Sequence, residues 1–470
     1  MQFRHIALAL GVLTVAACTD VNRPDLNNAS ITGFSKITSR TQVSALAVGV
    51  LSADRGRNEA EIQIGEIIGR DAYQLTTSEP RWVTQLLGPS IDPSGFLGTA
   101  LWPYDGVRLA NIGIDGIAGV DPATNILSAD EVQSSEGYLR TMKALEYLRA
   151  VETRDTAGIP IAVDIPPTQP PAPLVCKADA LRSIVALLDS GNAQLQAGAG
   201  SSFPFVLPSG FVGFDDPASF ATFNRALAAK TNVYLAFRDF AASGTIDQDA
   251  LSAADADLAA SFLDTTNAAN LNIGPVYVYS TNTGDAVSGM FGDPSSTTFR
   301  TNPRVESEAD PGDHRVTRDV VSTKNLINAG VSSDITFDLY NSPTTPTPIL
   351  LNKELILLKA EVDWGQGHLT QALALANFIR TNDGGLAAKS LSSATDILNQ
   401  ILYEKRYSLL WQSGDRWLDA RLFGKLNGND PPVGLGLENK LGPLENIPLP
   451  QGEVDARGGQ AGLTQTCSSN

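Results

Sequence analysis

The sequence predicts a mainly α-helical protein with long irregular loops and few short strands. Two observations predict this class. In most periodic segments, apolar residues recur at the three- and four-residue spacing of an amphipathic helix. The segments between them are rich in Pro, Gly, Ser, Thr and Asn, which favour turns. Long loops in a compact domain are usually functional or disordered, so we expect the ligand surface on loops carried by a helical scaffold.

The clearest helix begins after Ser128. Ser128 and Glu131 have the spacing of a capping box, in which each side chain accepts a hydrogen bond from the other residue's backbone N–H. One apolar stripe follows, formed by Val132, Leu139, Met142, Leu145 and Leu148. Gly158 and Pro160 then close the helix. We expect this helix to pack by its stripe.

Further helices are predicted over 178–194, 217–238, 253–263, 350–364, 369–380 and 394–411. The segments 350–364 and 369–380 are joined by Gly365-Gln366-Gly367 and predict a helix hairpin of the tetratricopeptide type. The longest connecting segment, 271–348, is predicted to be a loop-rich insert. Within it, short strands are predicted at 276–279 and 337–340.

The first 17 residues have the pattern of a signal peptide. Arg4 and His5 precede an apolar run over 6–13, and small residues precede Cys18. The run is too short to cross a membrane, which takes about 20 apolar residues. The segment 13–18 resembles a bacterial lipobox, which implies acylation of Cys18 and attachment to a membrane through lipid. The alternative is an ordinary secretory signal. Residues 18–45 are predicted to be a flexible leader.

Composition restricts the ligand. The chain has 34 basic and 51 acidic residues, a formal net charge of -17. Nucleic acids and anionic lipids need a basic surface, so the charge argues against both and favours a neutral or cationic ligand. No later apolar stretch approaches membrane-spanning length, so the lipid on Cys18 is expected to be the only anchor.

The patterns of common catalytic and metal sites are missing from the sequence. Past the signal peptide, the histidines are His314 and His368, with no acidic or cysteine cluster nearby, so no metal or cofactor is expected. We also find no Gly-x-Ser-x-Gly elbow and no Walker loop. A glycosidase pair of carboxylates stays open, because such acids meet from anywhere in a chain. An extracytoplasmic compartment permits a disulfide between Cys176 and Cys467, with two free thiols as the alternative.

The segment 401–421 carries a family resemblance. It resembles the C-terminal signature of SusD/RagB-like nutrient-binding lipoproteins, in which charged residues alternate with a short apolar stretch before an Arg-Trp pair, here Arg416 and Trp417. The acidic residue of the family's Glu-Gly step is absent, because Gln412-Ser413-Gly414 stands in its place. Further matches follow the same order along the chain, at Trp102, Tyr104 and Asn111, at 136–148, at 158–160, at 354–380 and at 447–453.

The signature can also be interpreted from its residues alone. Glu404, Arg406, Arg416, Asp419 and Arg421 are set among Leu409, Leu410, Trp411, Trp417 and Leu422. Charges next to a core must be paired. The segment therefore predicts a buried ion-pair network rather than a catalytic site.

The resemblance implies a SusD-like helical scaffold over residues 18–470 and a protein that is not an enzyme. It implies a lipid-anchored protein at the outer membrane, facing the cell surface. There it would capture a glycan or a peptide for import through a TonB-dependent outer-membrane transporter. Two alternatives are a surface-anchored glycoside hydrolase and a protein-interaction lipoprotein without a small ligand.

Candidate ligand residues follow from the chemistry of sugar binding, in which aromatic rings stack on sugars and polar groups bond to hydroxyls. The aromatic candidates on loops are Tyr73, Trp82, Tyr277 and Tyr279, with Asp71 and Arg81 as their polar neighbours. For each of the aromatic residues, packing in the core is the alternative. Trp102 is assigned to the core.

Overall fold

The computed structural model describes residues 36–165, 169–426 and 444–459. The predicted signal peptide, Cys18 and Cys467 lie outside the described residues. Within them, no helix combines the length and the apolar character that crossing a membrane requires.

Nine helices of twelve residues or more dominate the described residues. They are α1 (Arg40–Ile68), α2 (Tyr104–Ala118), α3 (Ala129–Arg154), α4 (Lys177–Ala197), α5 (Pro217–Phe237), α6 (Gln248–Ala259), α7 (Asn352–Gly365), α8 (Leu369–Asn382) and α9 (Ala394–Ser408). Shorter helices include Arg81–Thr84, Phe96–Thr99, Phe240–Ser243, Arg304–Ser307, His314–Asp319, Arg416–Leu422 and Gln451–Ala456. The mainly α class is confirmed.

Helix α1 was not predicted. It begins inside the segment 18–45, where we expected a flexible leader, and its N-cap Ser39 forms a capping box with Gln42. The helix has no simple apolar stripe because polar residues such as Asp54, Asn58 and Glu66 are buried along with its aliphatic ones. Each of these three side chains hydrogen-bonds to a distant segment, and burial of such polar residues removes the apolar periodicity by which a helix is recognised in a sequence.

The capping box at Ser128 and Glu131 is confirmed, and it opens α3. The prediction that this helix packs by one stripe is wrong, because from Ser134 to Arg154 nearly every residue of α3 is buried. The helix passes through the middle of the scaffold, in contact with α1, α2, α4 and α5. A helix surrounded on all sides carries polar residues in the core as well as apolar ones.

The predicted helix hairpin is confirmed as α7 and α8. Ala360 of α7 and Ala372 and Ala376 of α8 are fully buried in a shared cluster with Ile401 of α9. Their small side chains allow the helices to approach closely.

The strands form four two-stranded antiparallel sheets. They pair β1 (Ala72–Gln74) with β5 (Phe299–Thr301), β2 (Ile159–Pro160) with β3 (Leu174–Val175), β4 (Val276–Tyr277) with β8 (Thr347–Pro348), and β6 (Val320–Asn328) with β7 (Val331–Phe337). The segment 271–348 thus holds more regular structure than the loop-rich insert we expected. Ala329 and Gly330, both with positive φ, form the two-residue turn of the β6–β7 hairpin.

The signature at 401–421 is buried, and its charges are paired as predicted. Glu404 accepts a hydrogen bond from Arg315 at 2.5 Å, and Lys405 donates to Asp419 at 2.6 Å and to Glu361 at 2.9 Å. These side chains are almost inaccessible to solvent. Removing one partner from such a network leaves a buried charge without compensation.

A neighbouring part of the network contains more carboxyl groups than ammonium groups. Lys230 lies 3.0 Å from Glu354 and 3.0 Å from Asp415. Burial alone would lower the pKa of Lys230, but the charge of Asp415 raises it well above its usual value. Burial raises the pKa of Glu354 to about 8 and the pKa of Glu152 to about 7. The folded protein therefore holds protons on acids that the unfolded chain has already released at neutral pH.

These raised pKa values predict that the free energy of unfolding falls as the pH rises from 5.5 to 7.5. A glutamate with a raised pKa in the folded state stabilises the fold fully below its ordinary pKa of 4.5, and this contribution is lost as the pH rises through its folded pKa. Glu354→Gln cannot ionise, so the decrease between the two pH values should be smaller in this variant. Urea denaturation at pH 5.5 and 7.5 measures both quantities.

The matched control is Glu306→Gln, at an exposed position. It should show the same decrease as the unaltered protein. An equal decrease in Glu354→Gln would contradict the raised pKa of Glu354.

Candidate functional site

Asp71, which was predicted to lie beside the ligand, is 1% exposed and pairs with buried arginines instead. Its Oδ1 accepts hydrogen bonds from Arg406 Nε at 3.0 Å and Nη2 at 2.8 Å, and from Arg416. Burial, with Arg406 beside it, lowers the pKa of Arg416 to about 10. Asp71 therefore compensates two guanidinium groups in the interior, and the expectation that it faces a ligand is wrong.

Three of the four aromatic candidates are also buried, which corrects the expectation that they are exposed on loops. Tyr73 lies on β1, opposite Arg300 of β5. The Tyr277 hydroxyl donates to the buried carboxylate of Asp54, and the Tyr279 hydroxyl lies 2.7 Å from Thr347 Oγ1. Each of the last two hydroxyl groups has an internal partner, which is how a fold accommodates a buried tyrosine.

Arg81 and Trp82 lie at the surface, on the short helix Arg81–Thr84. The Trp82 ring centroid is 5.5 Å from that of Phe96, and the Arg81 guanidinium carbon is 4.9 Å from the Phe96 centroid. Phe96 is 39% exposed. We call Arg81, Trp82 and Phe96 the aromatic cluster.

The aromatic cluster is connected to the core by further rings. Trp82 contacts Phe299 of β5 at 6.5 Å between centroids, and Phe299 contacts Trp411 at 5.3 Å. Trp411 stacks on Phe337 of β7 at 4.4 Å and an interplanar angle of 5°. Edge-to-face and stacked pairs each stabilise the arrangement by about 0.5–1.5 kcal/mol beyond burial. A surface ring is therefore held in place by the buried signature.

Hydrogen bonds to backbone carbonyl groups hold the loops around the cluster. Asn328, next to the turn of the β6–β7 hairpin, donates from Nδ2 to the Thr76 carbonyl at 2.8 Å. The Gln451 N–H donates to the Pro93 carbonyl at 3.0 Å. At Gly95, an added Cβ would lie 3.3 Å from Arg81 Nη1, so a larger residue there would crowd the guanidinium.

Carboxylates neutralise the guanidinium of the cluster. Glu79 accepts from Arg81 Nε at 2.7 Å and from Nη2 at 2.5 Å, and this hydrogen bonding lowers the pKa of Glu79. Hydrogen bonds from Ser94, with a contribution from Arg81, lower the pKa of Asp92. The cluster therefore offers apolar ring faces beside polar acceptors, with no excess positive charge.

Sequence reasoning identified Arg81 and Trp82 but missed Phe96, Glu79 and Asp92. The sequence could have identified Phe96 as a candidate, because it is a large apolar residue within a segment of Gly, Pro, Ser and Asp that is typical of a loop. Trp102 packs against the core as assigned, 4.5 Å from Tyr104 between ring centroids.

Cys176 immediately precedes α4 and is disulfide-bonded. Its partner lies outside the described residues, so the pairing with Cys467 stays a prediction. Within the described part of the chain, no three His, Cys, Asp or Glu side chains are grouped as metal ligands.

Comparison with models of protein families finds no match, and comparison with curated proteins finds no significant one. Solved structures do match. A SusD superfamily protein from Parabacteroides distasonis is 14% identical with a TM-score of 0.67, over 90% of this chain and 98% of that one. A SusD superfamily protein from Bacteroides thetaiotaomicron is 14% identical with a TM-score of 0.64, over 89% and 98%. Surface glycan-binding protein A from Bacteroides uniformis is 15% identical with a TM-score of 0.65, over 92% and 100%. These matches confirm the predicted scaffold at the level of the fold.

The pairing of Asp71 predicts a large loss of stability on its replacement. Asp71→Asn keeps the shape but leaves Arg406 and Arg416 without their shared carboxylate. The free energy of unfolding should fall by about 3–5 kcal/mol, measured by chemical denaturation.

Asp179→Asn is the matched control. It breaks a pair with Arg182 in which both side chains are more than half exposed, so it should cost less than about 1 kcal/mol. Equal effects of the two substitutions would contradict the role assigned to Asp71.

Proposed function

The chain has the fold of the SusD superfamily, and on that basis we propose that it binds a glycan at the cell surface for nutrient uptake. The observation that carries this proposal is the aromatic cluster. Its exposed ring and neighbouring acceptors match the chemistry of sugar recognition, in which an apolar sugar face stacks on a ring and hydroxyls bond to polar groups. The name of the similar protein from Bacteroides uniformis, a surface glycan-binding protein, supports the same ligand class.

The setting of this function is part of the proposal. Cleavage before Cys18 makes this cysteine the mature N-terminus, and acyl chains on Cys18 attach the protein to the outer membrane. The bound glycan passes to a TonB-dependent transporter, the partner that the family resemblance implies. A peptide is the alternative ligand.

The cluster supports binding rather than hydrolysis. A glycosidase needs a carboxylic acid that is protonated at working pH, beside a second carboxylate. The two carboxylates at the cluster are Glu79 and Asp92, and the pKa of each is lowered by its hydrogen bonds. Both are ionised at neutral pH, so neither supplies the general acid.

The first test removes the exposed ring. Phe96→Ala should weaken binding of an oligosaccharide ligand about 10-fold, which corresponds to about 1.4 kcal/mol. Isothermal calorimetry with a panel of neutral oligosaccharides, plant and host, measures the affinity.

The matched control is Phe291→Ala. Phe291 is 38% exposed, almost the same as Phe96, and lies outside the cluster. It should leave the affinity unchanged. Equal affinities of both variants and the unaltered protein would show that the glycan binds elsewhere, and the absence of heat with every sugar would contradict glycan binding.

A second test concerns ligand charge. Glu79 occupies the Nε and Nη2 edge of Arg81, so the cluster should prefer neutral sugars over sugars that carry a carboxylate. Glu79→Gln releases Arg81, and affinity for uronic-acid oligosaccharides should rise about 3- to 10-fold relative to neutral ones. Calorimetry with matched neutral and acidic oligosaccharides measures this ratio. An unchanged ratio would contradict the role of Glu79.

A further inference from the structure

A groove separate from the aromatic cluster lies between the first half of α1 and two loops. Its volume is about 320 Å³, which is within the usual size of small-ligand sites, about 300–1,000 Å³. The first loop contributes Pro208 and Phe211, and the second contributes Val276 to Val278 together with Gly284 and Asp285. None of the residues that line the groove belongs to the aromatic cluster.

The walls of the groove are aliphatic. Val48 and Leu51 of α1 face it, as do Val276 and Val278, and Val48 is 51% exposed. Phe211 and Tyr277 also line it, but their rings are buried and present no open face for a sugar to stack on. An apolar wall without an accessible ring favours binding of a hydrocarbon chain, because transfer of such a chain out of water is favourable.

One cation lies at the groove and is held in a fixed position. Arg55 Nη1 donates to Asp285 Oδ1 at 2.9 Å and to the Val278 carbonyl at 3.2 Å. The guanidinium carbon is 5.3 Å from the centroid of the Tyr279 ring. Asp285 is fixed in turn by the Ala286 N–H at 2.8 Å. Loss of side-chain freedom on binding is therefore small at this arginine.

The other edge of the same guanidinium is available. Both hydrogen bonds of Arg55 come from Nη1, and Nε and Nη2 donate to no atom of the described residues. The side chain keeps 23% of its surface exposed. Two parallel N–H groups match the two oxygens of a carboxylate.

We propose that this groove binds an aliphatic carboxylate. The net charge of the chain favours neutral or cationic ligands overall, but the Nε and Nη2 edge of Arg55 provides a local site for one anion. Its hydrocarbon part lies against Val48, Leu51 and Val276, and its carboxylate bonds to Nε and Nη2 of Arg55. Two kinds of molecule have this chemistry, a free fatty acid and the C-terminus of a peptide that ends in an aliphatic residue. The site is distinct from the glycan site and does not depend on it.

The experiment measures binding of decanoate, decanol, a short peptide ending in leucine and the same peptide as its C-terminal amide, by calorimetry on the full-length protein. We expect decanoate or the free-acid peptide to bind and the two ligands without a carboxylate to bind at least 10-fold more weakly. If only decanoate binds, the ligand is a fatty acid. If only the free-acid peptide binds, the ligand is the C-terminus of a peptide. Failure of both free acids to bind would overturn the proposal.

Two substitutions test the two halves of the site. Arg55→Gln should weaken binding of the carboxylate ligands at least 10-fold and leave decanol unchanged. Arg182→Gln, which removes an exposed arginine that does not line the groove, is the control and should have no effect. Equal affinity of Arg55→Gln and the unaltered protein would overturn the assignment of the carboxylate.

The wall is tested independently of Arg55. In the unaltered protein, affinity should rise about fourfold for each methylene from hexanoate to decanoate, because each buried methylene contributes about 0.8 kcal/mol. Val48→Asp, at a half-exposed position, should reduce this increase, whereas Ile327→Asp at the exposed end of β6 should not. Affinity independent of chain length would overturn the proposed wall.

The Phe96→Ala variant should bind decanoate with unchanged affinity, which separates this site from the glycan site.

Discussion

The position of the aromatic cluster depends on the ion pairs of the Asp71 carboxylate. Asp71 lies directly before β1. Its carboxylate accepts hydrogen bonds from Arg406 of α9 and from Arg416, which begins the next short helix. Strand β1 then leads into the loop that carries the aromatic cluster. Because two buried guanidinium groups share this acceptor, and Arg406 also donates to Glu308 at 2.7 Å, the start of that loop is fixed relative to the C-terminal helices.

A series of contacts between aromatic rings extends this connection from the core to the surface. From Trp411 in the signature, contacts pass through Phe299 to Trp82 and then to Phe96. Trp411 itself is held in a left-handed backbone conformation, and its N–H donates to the buried carboxylate of Glu66 at 2.9 Å. The signature therefore has a structural role, and its ring contacts position the aromatic cluster, which lies outside it.

Exposure of aromatic residues was the least predictable feature. Tyr277 and Tyr279 lie in a segment where the sequence predicts a short strand within a loop-rich insert. In the structure, Asp54 of α1 accepts from the Tyr277 hydroxyl, and the Tyr279 hydroxyl pairs with Thr347 of β8. Phe96 lies in an equally irregular segment and stays exposed. The difference depends on which helix covers each segment. The same helix, α1, was missed because its buried polar residues disguise its periodicity.

The amino-acid sequence is sufficient to predict the mainly helical class, the capped start of α3, the hairpin of α7 and α8, and the pairing of charges in the signature. These features follow from local rules, namely helical spacing, cap geometry and the cost of an unpaired buried charge. Long-range packing places Asp71 in the interior, brings Arg81, Trp82 and Phe96 together at the surface, and forms the groove beside Arg55. Their partners are distant in the chain, and no local pattern encodes which distant segments come into contact.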